Sequence, residues 1–223
     1  MTSVNANYDV SDQVPAARGP QGGLRKRAFD VAAASLLLLL FLPLMFFIAV
    51  ILYSLEGGSI FFAHNRVGYR GRSFRCFKFR SMVTNAEGAL ARYLRENPLA
   101  RQEWEATQKL RDDPRITSLG RFLRATSLDE LPQLFNVLAG DMSLVGPRPI
   151  VEGEIVRYGA YFADYASARP GLTGLWQVSG RSEVGYDRRV ELDRNYVTGW
   201  SLSGDLMILL RTVKVVFSRV GSY

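Results

Sequence analysis

The sequence predicts a mostly helical α+β protein that is attached to a membrane by one apolar segment. Three patterns favour this fold class. Residues 31–53 hold no charged side chain, which is typical of a membrane segment. Residues 74–80 alternate aromatic and basic side chains, which predicts a strand with one basic face. Apolar residues at positions 131, 134, 135 and 138 have the spacing of one apolar helix face.

The composition limits which classes of protein this chain can belong to. The chain has 223 residues and a formal net charge of +7, with 48% hydrophobic and 22% charged residues. This balance excludes a wholly disordered chain, and the length fits one compact domain with an attachment. Because the chain has one cysteine and one histidine, we exclude an internal disulfide framework and a zinc site built from these residues.

The apolar segment differs from a plain membrane crossing in two ways. As a straight helix, its 23 residues would reach roughly 35 Å, enough to cross a bilayer. Pro43 lies near its centre and removes a helical hydrogen bond, which predicts a break or kink. Basic residues flank the segment on both sides, whereas a single crossing would leave one basic group outside. A kinked span and a re-entrant hairpin that enters and leaves by the cytoplasmic face therefore both stay open.

The hydropathy pattern divides the chain into four parts. Residues 1–24 are polar and contain several Pro and Gly residues, which predicts a flexible tail. We expect a membrane helix broken at Pro43 over residues 25–55. A folded cytoplasmic domain follows over 56–201, and an amphipathic helix over 202–223. Because this last helix carries an apolar stripe beside basic residues, it either lies in the membrane interface or packs on the domain.

The tetrapeptide Ser-Leu-Asp-Glu at residues 127–130 has two interpretations. Ser127 and Glu130 have the spacing of a capping box, although Pro132 implies that the helix begins later or irregularly. Alternatively, Asp129 and Glu130 form a carboxylate pair that binds a hard cation such as Mg²⁺ or attacks phosphorus. The basic side chains that could gather around this pair and bind phosphate are Lys78, Arg80, Arg121, Arg124, Arg148, Arg169 and Arg181.

Other common chemistries lack their motifs. The chain contains neither a G-x-x-x-x-G-K-[ST] phosphate loop nor a G-x-S-x-G elbow. The positive charge and the amphipathic C-terminal segment support a second hypothesis, a membrane-tethered basic module that binds anionic lipid or nucleic acid without catalysis. That hypothesis gives no reason for an acid pair beside loops rich in Arg, Gly and Pro.

Four segments, in this order, resemble those of a known family. They are KFRSM (78–82), SLDELPQLFNVLAGDMSLVGPRP (127–149), RPGLTGLWQVSGR (169–181) and WSLSGDLMILLRTVKVV (200–216). The family is that of the bacterial sugar transferases, the monotopic polyprenyl-phosphate phosphoglycosyl transferases, and the resemblance covers residues 25–223. The chain is most similar to the short members that initiate exopolysaccharide synthesis with galactose 1-phosphate or glucose 1-phosphate.

The resemblance implies roles for particular residues. It implies that Asp129 is a nucleophile followed by Glu130, and that both hold Mg²⁺. The side chains expected to bind substrate phosphate are Lys78, Arg80, Arg124, Arg148 and Arg169. It also implies a re-entrant helix that breaks at Pro43, although this chain has Leu42 where many relatives have serine.

The resemblance also implies a reaction and a place for it. A UDP-sugar, either UDP-galactose or UDP-glucose, would give its hexose 1-phosphate to undecaprenyl phosphate through a covalent aspartyl intermediate, with release of UMP. The catalytic domain would lie on the cytoplasmic face of the bacterial inner membrane, in contact with membrane lipid and without nucleic acid. The sequence leaves open which sugar is moved, which polymer is made, what Glu130 does and whether the chain forms a homo-oligomer.

Overall fold

The computed structural model describes residues 19–107, 110–180 and 184–218, which fold into helices and two small sheets. The helices are α1 (Gly23–Glu56), α2 (Ala86–Glu96), α3 (Pro98–Thr107), α4 (Ser118–Ala125), α5 (Gln133–Ala139), α6 (Ile155–Tyr158), α7 (Phe162–Ala166), α8 (Tyr186–Thr198) and α9 (Leu202–Ser218). The strands are β1 (Phe61–Val67), β2 (Ser73–Phe79), β3 (Ser143–Val145) and β4 (Gly171–Thr173). The predicted class, α+β and mostly helical, is therefore confirmed.

The strand predicted over residues 74–80 is confirmed as β2, but its predicted basic face is wrong. β2 forms an antiparallel hairpin with β1, in which Phe61 lies opposite Phe79. Successive strand residues point to opposite faces, so Arg75 and Lys78, three positions apart, lie on different sides of the hairpin. β3 and β4 form a separate parallel pair.

A buried asparagine attaches α5 to the β-hairpin. Asn136 is fully buried; its side chain accepts a hydrogen bond from Phe77 N at 3.0 Å and donates one to Arg75 O at 2.8 Å. These bonds satisfy backbone groups at the edge of β2 that would otherwise lack a partner. Leu134 and Val137 on the same helix are buried in the main apolar core. The loop before α5 is therefore held close to β2.

α1 is one helix of 34 residues with Pro43 inside it, so the backbone stays helical through this position, and the predicted kink at Pro43 stays a prediction. A proline removes one intrahelical hydrogen bond. Leu38 before it and Met45 after it are both buried against the domain, and this packing supports the helix on either side of the gap. Within the described residues, α1 is the helix long and apolar enough to cross a membrane.

The same folded domain holds both ends of α1. At the first turn, Lys26 Nζ donates to Asp205 Oδ2 at 2.7 Å, and Arg27 donates to two carbonyl groups near the end of α5. At the last turn, Glu56 Oε2 lies 3.6 Å from Arg80 Nη2. The outward side of α1 between these contacts consists largely of exposed leucine and phenylalanine side chains. A helix of membrane length is thus attached to one globular body at its two ends.

The C-terminal helix α9 packs on the domain and also leaves an apolar side free. Asp205 and Ile208 are buried. Three members of the predicted apolar stripe, Leu206, Leu210 and Val213, are exposed. The buried side confirms that the helix packs on the domain, and the membrane-interface alternative stays a prediction for the exposed side.

Most of the predicted tail, residues 1–18, lies outside the described residues, as do residues 219–223. The chain is in contact with the domain before α1 begins, because Gln21 N donates to Ser167 O at 3.1 Å. α1 then starts at Gly23, two positions before the predicted start.

Candidate active site

The acid pair, Asp129 and Glu130, lies on a short 3-10 turn (Leu128–Glu130) between α4 and α5. Ser127 precedes the turn with a φ of 57°, in the left-handed region that residues other than glycine rarely adopt. Its side chain makes no capping hydrogen bond, so the predicted capping box is wrong, because a capping serine needs an extended backbone. α5 starts only at Gln133. Local backbone strain of this kind is typical of functional sites.

Lys78 from β2 meets both members of the acid pair. Its Nζ lies 2.6 Å from Glu130 Oε1 and 4.0 Å from Asp129 Oδ2. Asp129 is buried, with 7% of its surface exposed, whereas the side chains of Lys78 and Glu130 are each about one-third exposed. The structure therefore brings together three of the predicted site residues from segments 52 residues apart.

The surroundings of Asp129 set the charge of its carboxyl group. Burial raises the pKa of Asp129 to about 6; Lys78 and Arg124 oppose this rise, and Glu130 adds to it. Burial alone would lower the pKa of the Lys78 ammonium, but Glu130 and Asp129 raise it above its ordinary value. At neutral pH the site therefore holds an ionised carboxylate beside a charged ammonium.

Arg124 lies near the acid pair, whereas Arg80 contacts the end of α1. Arg124, at the end of α4, donates from Nε to Ser81 Oγ at 2.8 Å, and its charge lowers the pKa of Asp129. Arg80 is 7% exposed and donates from Nη2 to Gly57 O at 2.5 Å. Its Nε and Nη1 atoms are buried without a hydrogen-bond partner. Arg124 is therefore placed beside the nucleophile candidate, whereas Arg80 joins β2 to the end of α1.

Arg169 contacts the C-terminal end of α5. Its Nε donates to Gly140 O at 2.8 Å, just after α5. Burial lowers the pKa of Arg169, and the nearby Arg27 adds to this effect. Among the described residues, this hydrogen bond satisfies a carbonyl group at a helix end. The predicted grouping of Arg169 with Asp129 stays a prediction.

Arg148 belongs to a second cluster, which it forms with Trp176, Arg189 and Asp193. The guanidinium carbons of Arg148 and Arg189 lie 5.5 and 4.4 Å from the centroid of the Trp176 ring, within the range of cation–π attraction. The backbone N of Arg148 donates to Asp193 Oδ2 at 3.4 Å. The predicted grouping of Arg148 with Asp129 stays a prediction. Arg121 is exposed on α4, and Arg181 lies outside the described residues.

Sequence reasoning missed Ser81, Arg189 and Asp193. Ser81 lies inside the KFRSM segment, but its contact with Arg124 spans 43 residues, which no local spacing predicts. Arg189 and Asp193 are four positions apart on α8, a helix that the motifs do not include. A helical periodicity search over residues 186–198 could have shown that both lie on one face.

We expect Gly120→Ala to destabilise the protein by about 1–3 kcal/mol, because a Cβ at this position overpacks the junction between α4 and Ser81. The added atom would lie 2.0 Å from Ser81 O. The free energy of unfolding in detergent measures the effect. Gly153→Ala is the matched control, since its added Cβ meets no atom within 4 Å. Equal stability of the two variants would contradict the prediction.

We expect the free energy of unfolding to fall as pH rises from about 4 to about 7, in part because of Asp193. This carboxyl is buried and accepts a hydrogen bond from the Tyr158 hydroxyl at 2.7 Å. Burial raises its pKa from 3.8 to about 7. The folded protein therefore keeps a proton that the unfolded chain has released, so this contribution is complete below pH 4 and lost as pH passes 7.

The test compares unfolding of the wild type and Asp193→Asn at pH 5 and pH 8. The neutral asparagine should make the fall in stability smaller. Asp187→Asn, at an exposed aspartate of the same helix, serves as the control and should keep the wild-type fall. An unchanged fall in Asp193→Asn would show that its carboxyl does not titrate in this range.

The acid pair also fits a magnesium site. The described residues contain no group of three His, Cys, Asp or Glu side chains that could hold a metal ion. Mg²⁺ commonly uses only one or two carboxylates and completes its shell with water and substrate phosphates. Asp129 and Glu130 converge on one point, since an oxygen of each lies within 4.0 Å of Lys78 Nζ. Two converging carboxylates beside bound phosphate would supply what this ion requires.

Comparison with known proteins agrees with the resemblance seen in the four motifs. The family model described as "Bacterial sugar transferase" matches residues 22–219. The exopolysaccharide production protein ExoY of Rhizobium meliloti is 48% identical over 221 residues, which cover 99% of this chain and 97% of that protein.

Two further relatives have names that describe a reaction. The undecaprenyl-phosphate galactose phosphotransferase of Salmonella typhimurium is 52% identical over 198 residues, 89% of this chain and 41% of that protein. The UDP-glucose:undecaprenyl-phosphate glucose-1-phosphate transferase of Caulobacter vibrioides is 41% identical over 208 residues, 90% of this chain and 72% of that protein. The prediction made from the motifs is confirmed: the chain belongs to the bacterial sugar transferase family.

Proposed function

We propose that this sugar transferase moves a hexose 1-phosphate from UDP-galactose or UDP-glucose to undecaprenyl phosphate, as the first membrane step of exopolysaccharide synthesis. The names of the relatives support the donor and the acceptor. The observation that carries the proposed mechanism is the position of Asp129, a buried carboxylate between the charges of Lys78 and Arg124.

In the first step, an oxygen of the Asp129 carboxylate attacks the phosphorus that bears the sugar. A bond forms between this oxygen and phosphorus, and the bond between phosphorus and the bridging oxygen of the diphosphate breaks. UMP leaves with the bonding electron pair, and the sugar phosphate stays on Asp129. Covalent catalysis of this kind divides one difficult displacement into two easier ones.

In the second step, a phosphate oxygen of undecaprenyl phosphate attacks the same phosphorus. The bond to Asp129 breaks and the carboxylate is restored. The product is undecaprenyl diphosphate carrying the sugar. Both steps pass negative charge between phosphate oxygens, so they benefit from fixed positive groups at the reacting phosphorus.

Lys78 and Arg124 supply these positive groups. Lys78 is a compact charge on a flexible stem, whereas Arg124 is held by its hydrogen bond to Ser81. Asp129 and Glu130 would hold Mg²⁺, which would neutralise diphosphate charge.

We further propose that the axis of α1 kinks at Pro43 and that the helix enters and leaves the inner membrane by its cytoplasmic face. As a span, a helix of 34 residues would separate its ends by about 50 Å across the bilayer. Contacts of one domain with Lys26 and with Glu56 at the two ends support the re-entrant path instead. Phe122 and Phe135, on the helices that flank the acid pair, are 55% and 43% exposed. These side chains support a site at the membrane surface, where undecaprenyl phosphate presents its head group.

Release of UMP tests the proposed reaction. Purified protein is incubated with Mg²⁺, undecaprenyl phosphate and a panel of UDP-sugars, and UMP is measured. We expect release with UDP-galactose or UDP-glucose. Salt-sensitive binding of nucleic acid without UMP release from any sugar would instead favour the basic binding module.

Cysteine labelling in intact cells tests the path of α1. Single cysteines are placed at Ser3 and at Gly185, which lie on either side of α1 in the sequence, in a chain where buried Cys76 is replaced by alanine. A membrane-impermeant reagent should label neither position until the cells are opened. Labelling of one position alone from outside would establish a true membrane span.

A further inference from the structure

We infer that Lys78 is the resident counter-ion of the acid pair and that its ammonium leaves Glu130 when a divalent cation binds the two carboxylates. Lys78 thus has two successive partners, first the carboxylates and then substrate phosphate. The second partner rests on the proposed function, whereas the exchange of cations at the acid pair does not.

The distances show that Lys78 already occupies the point on which the acid pair converges. Its Nζ is 2.6 Å from Glu130 Oε1 and 4.0 Å from Asp129 Oδ2. A magnesium ion binds carboxylate oxygen at about 2.1 Å. An ion at that distance from the same Glu130 oxygen would lie within a few ångströms of the ammonium. Two cations that close repel each other strongly, so one of them must leave.

Lys78 is the cation that is free to move. Its side chain is 34% exposed. A lysine side chain is a flexible four-carbon stem that ends in a single point charge. Arg124, the other cation near Asp129, is tied to Ser81 Oγ at 2.8 Å. Displacement of Lys78 therefore needs only side-chain rotation, whereas displacement of Arg124 would break its hydrogen bond to Ser81.

The exchange gives Lys78 opposite effects on metal binding and on turnover. Without metal, the ammonium offsets the repulsion between two adjacent carboxylates. It also competes with the metal for Glu130, so its removal should strengthen metal binding. Once displaced, the ammonium can meet incoming phosphate oxygens, so its removal should weaken turnover. A residue that merely supports the fold would not produce these two opposite changes.

The test is a titration with Mn²⁺ alone, without nucleotide or lipid acceptor, in which electron paramagnetic resonance measures free Mn²⁺. We expect Lys78→Met to bind Mn²⁺ roughly tenfold more tightly than the wild type. Arg75→Met is the matched control: it removes one positive charge from the same strand, and its exposed side chain lies on the opposite face. Its Mn²⁺ affinity should stay within about twofold of the wild type.

Two further variants strengthen the test. Lys78→Gln replaces Lys78→Met if the latter unfolds at a lower temperature than the wild type. In a Glu130→Gln background, removal of the Lys78 charge should strengthen Mn²⁺ binding much less, because the contested carboxylate is gone. Release of UMP by Lys78→Met should fall although its metal site is filled at lower concentration.

Three results would overturn the inference. The first is unchanged or weaker Mn²⁺ binding by the Lys78 variants. The second is an equal gain in Arg75→Met, which would show an effect of net charge. The third is the absence of Mn²⁺ binding in both the wild type and Lys78→Met. Failure of the proposed function would look different: the wild type would release no UMP from any UDP-sugar, while the Mn²⁺ titration would still give its own answer.

Discussion

Asp129→Asn is expected to lower the rate of UMP release by a factor of at least ~10⁴, the scale of loss when an enzyme loses its nucleophile. The amide has almost the same shape as the carboxylate but lacks the anionic oxygen that forms the bond to phosphorus. The substitution removes one of the two adjacent carboxylates, so it should not lower stability. The observable loss is therefore chemical.

Two measurements check this expectation. One is UMP release with UDP-sugar and undecaprenyl phosphate. The other is the mass of the intact protein after incubation with UDP-sugar alone, which should increase by one sugar phosphate in the wild type and stay unchanged in Asp129→Asn. Asp112→Asn, at an exposed aspartate, should behave as the wild type. Normal turnover by Asp129→Asn would exclude this residue as the nucleophile.

Asp205→Ala is expected to destabilise the fold by about 3–5 kcal/mol, because it leaves a buried ammonium without its closest partner. Asp205 is fully buried and accepts hydrogen bonds from three side chains. The donors are Lys26 Nζ at 2.7 Å, the Tyr196 hydroxyl at 2.8 Å and Trp200 Nε1 at 3.0 Å. A loss of this size is a large part of the stability of a typical domain.

Unfolding in detergent, by heat or denaturant, measures the effect of Asp205→Ala. Asp112→Ala is the surface control and should change stability by less than about 0.5 kcal/mol. The double variant Lys26→Met/Asp205→Leu should recover part of the loss, because it removes both buried charges together. If Asp205→Ala were as stable as the control, the attachment of α1 to α9 would have to rest on apolar packing alone.

The acid pair could be predicted because its residues are adjacent in the sequence. Asp129 and Glu130 lie in a segment whose sequence resembles that of the family. Lys78 and Arg124 lie in or beside such segments. The grouping of Arg148 and Arg169 with this pair stays a prediction, because their contacts in the structure are with other residues. Arg169 satisfies a carbonyl group after α5, and Arg148 stacks on Trp176. Residue type and motif membership carry no information about which end of the domain a loop approaches.

Tertiary packing changed the local backbone preference at two places. Serine commonly caps helices, but the backbone of Ser127 lies in the left-handed region of φ and ψ, and the cap does not form. Pro43 favours a break, but α1 stays helical because the domain packs on both sides of it. In both places a local signal worth a few kcal/mol competes with contacts made by distant residues.

The sequence by itself determined the apolar segment, the helical and strand periodicities, the acid pair and the family, because each depends on residues close together along the chain or on the order of motifs. Only the tertiary structure decided which cations meet Asp129 and that both ends of α1 bind one domain. The Lys26–Asp205 bond joins residues 179 positions apart, and the Lys78–Glu130 bond joins residues 52 apart. Contacts over such separations depend on how all the elements pack together, and no local pattern encodes them.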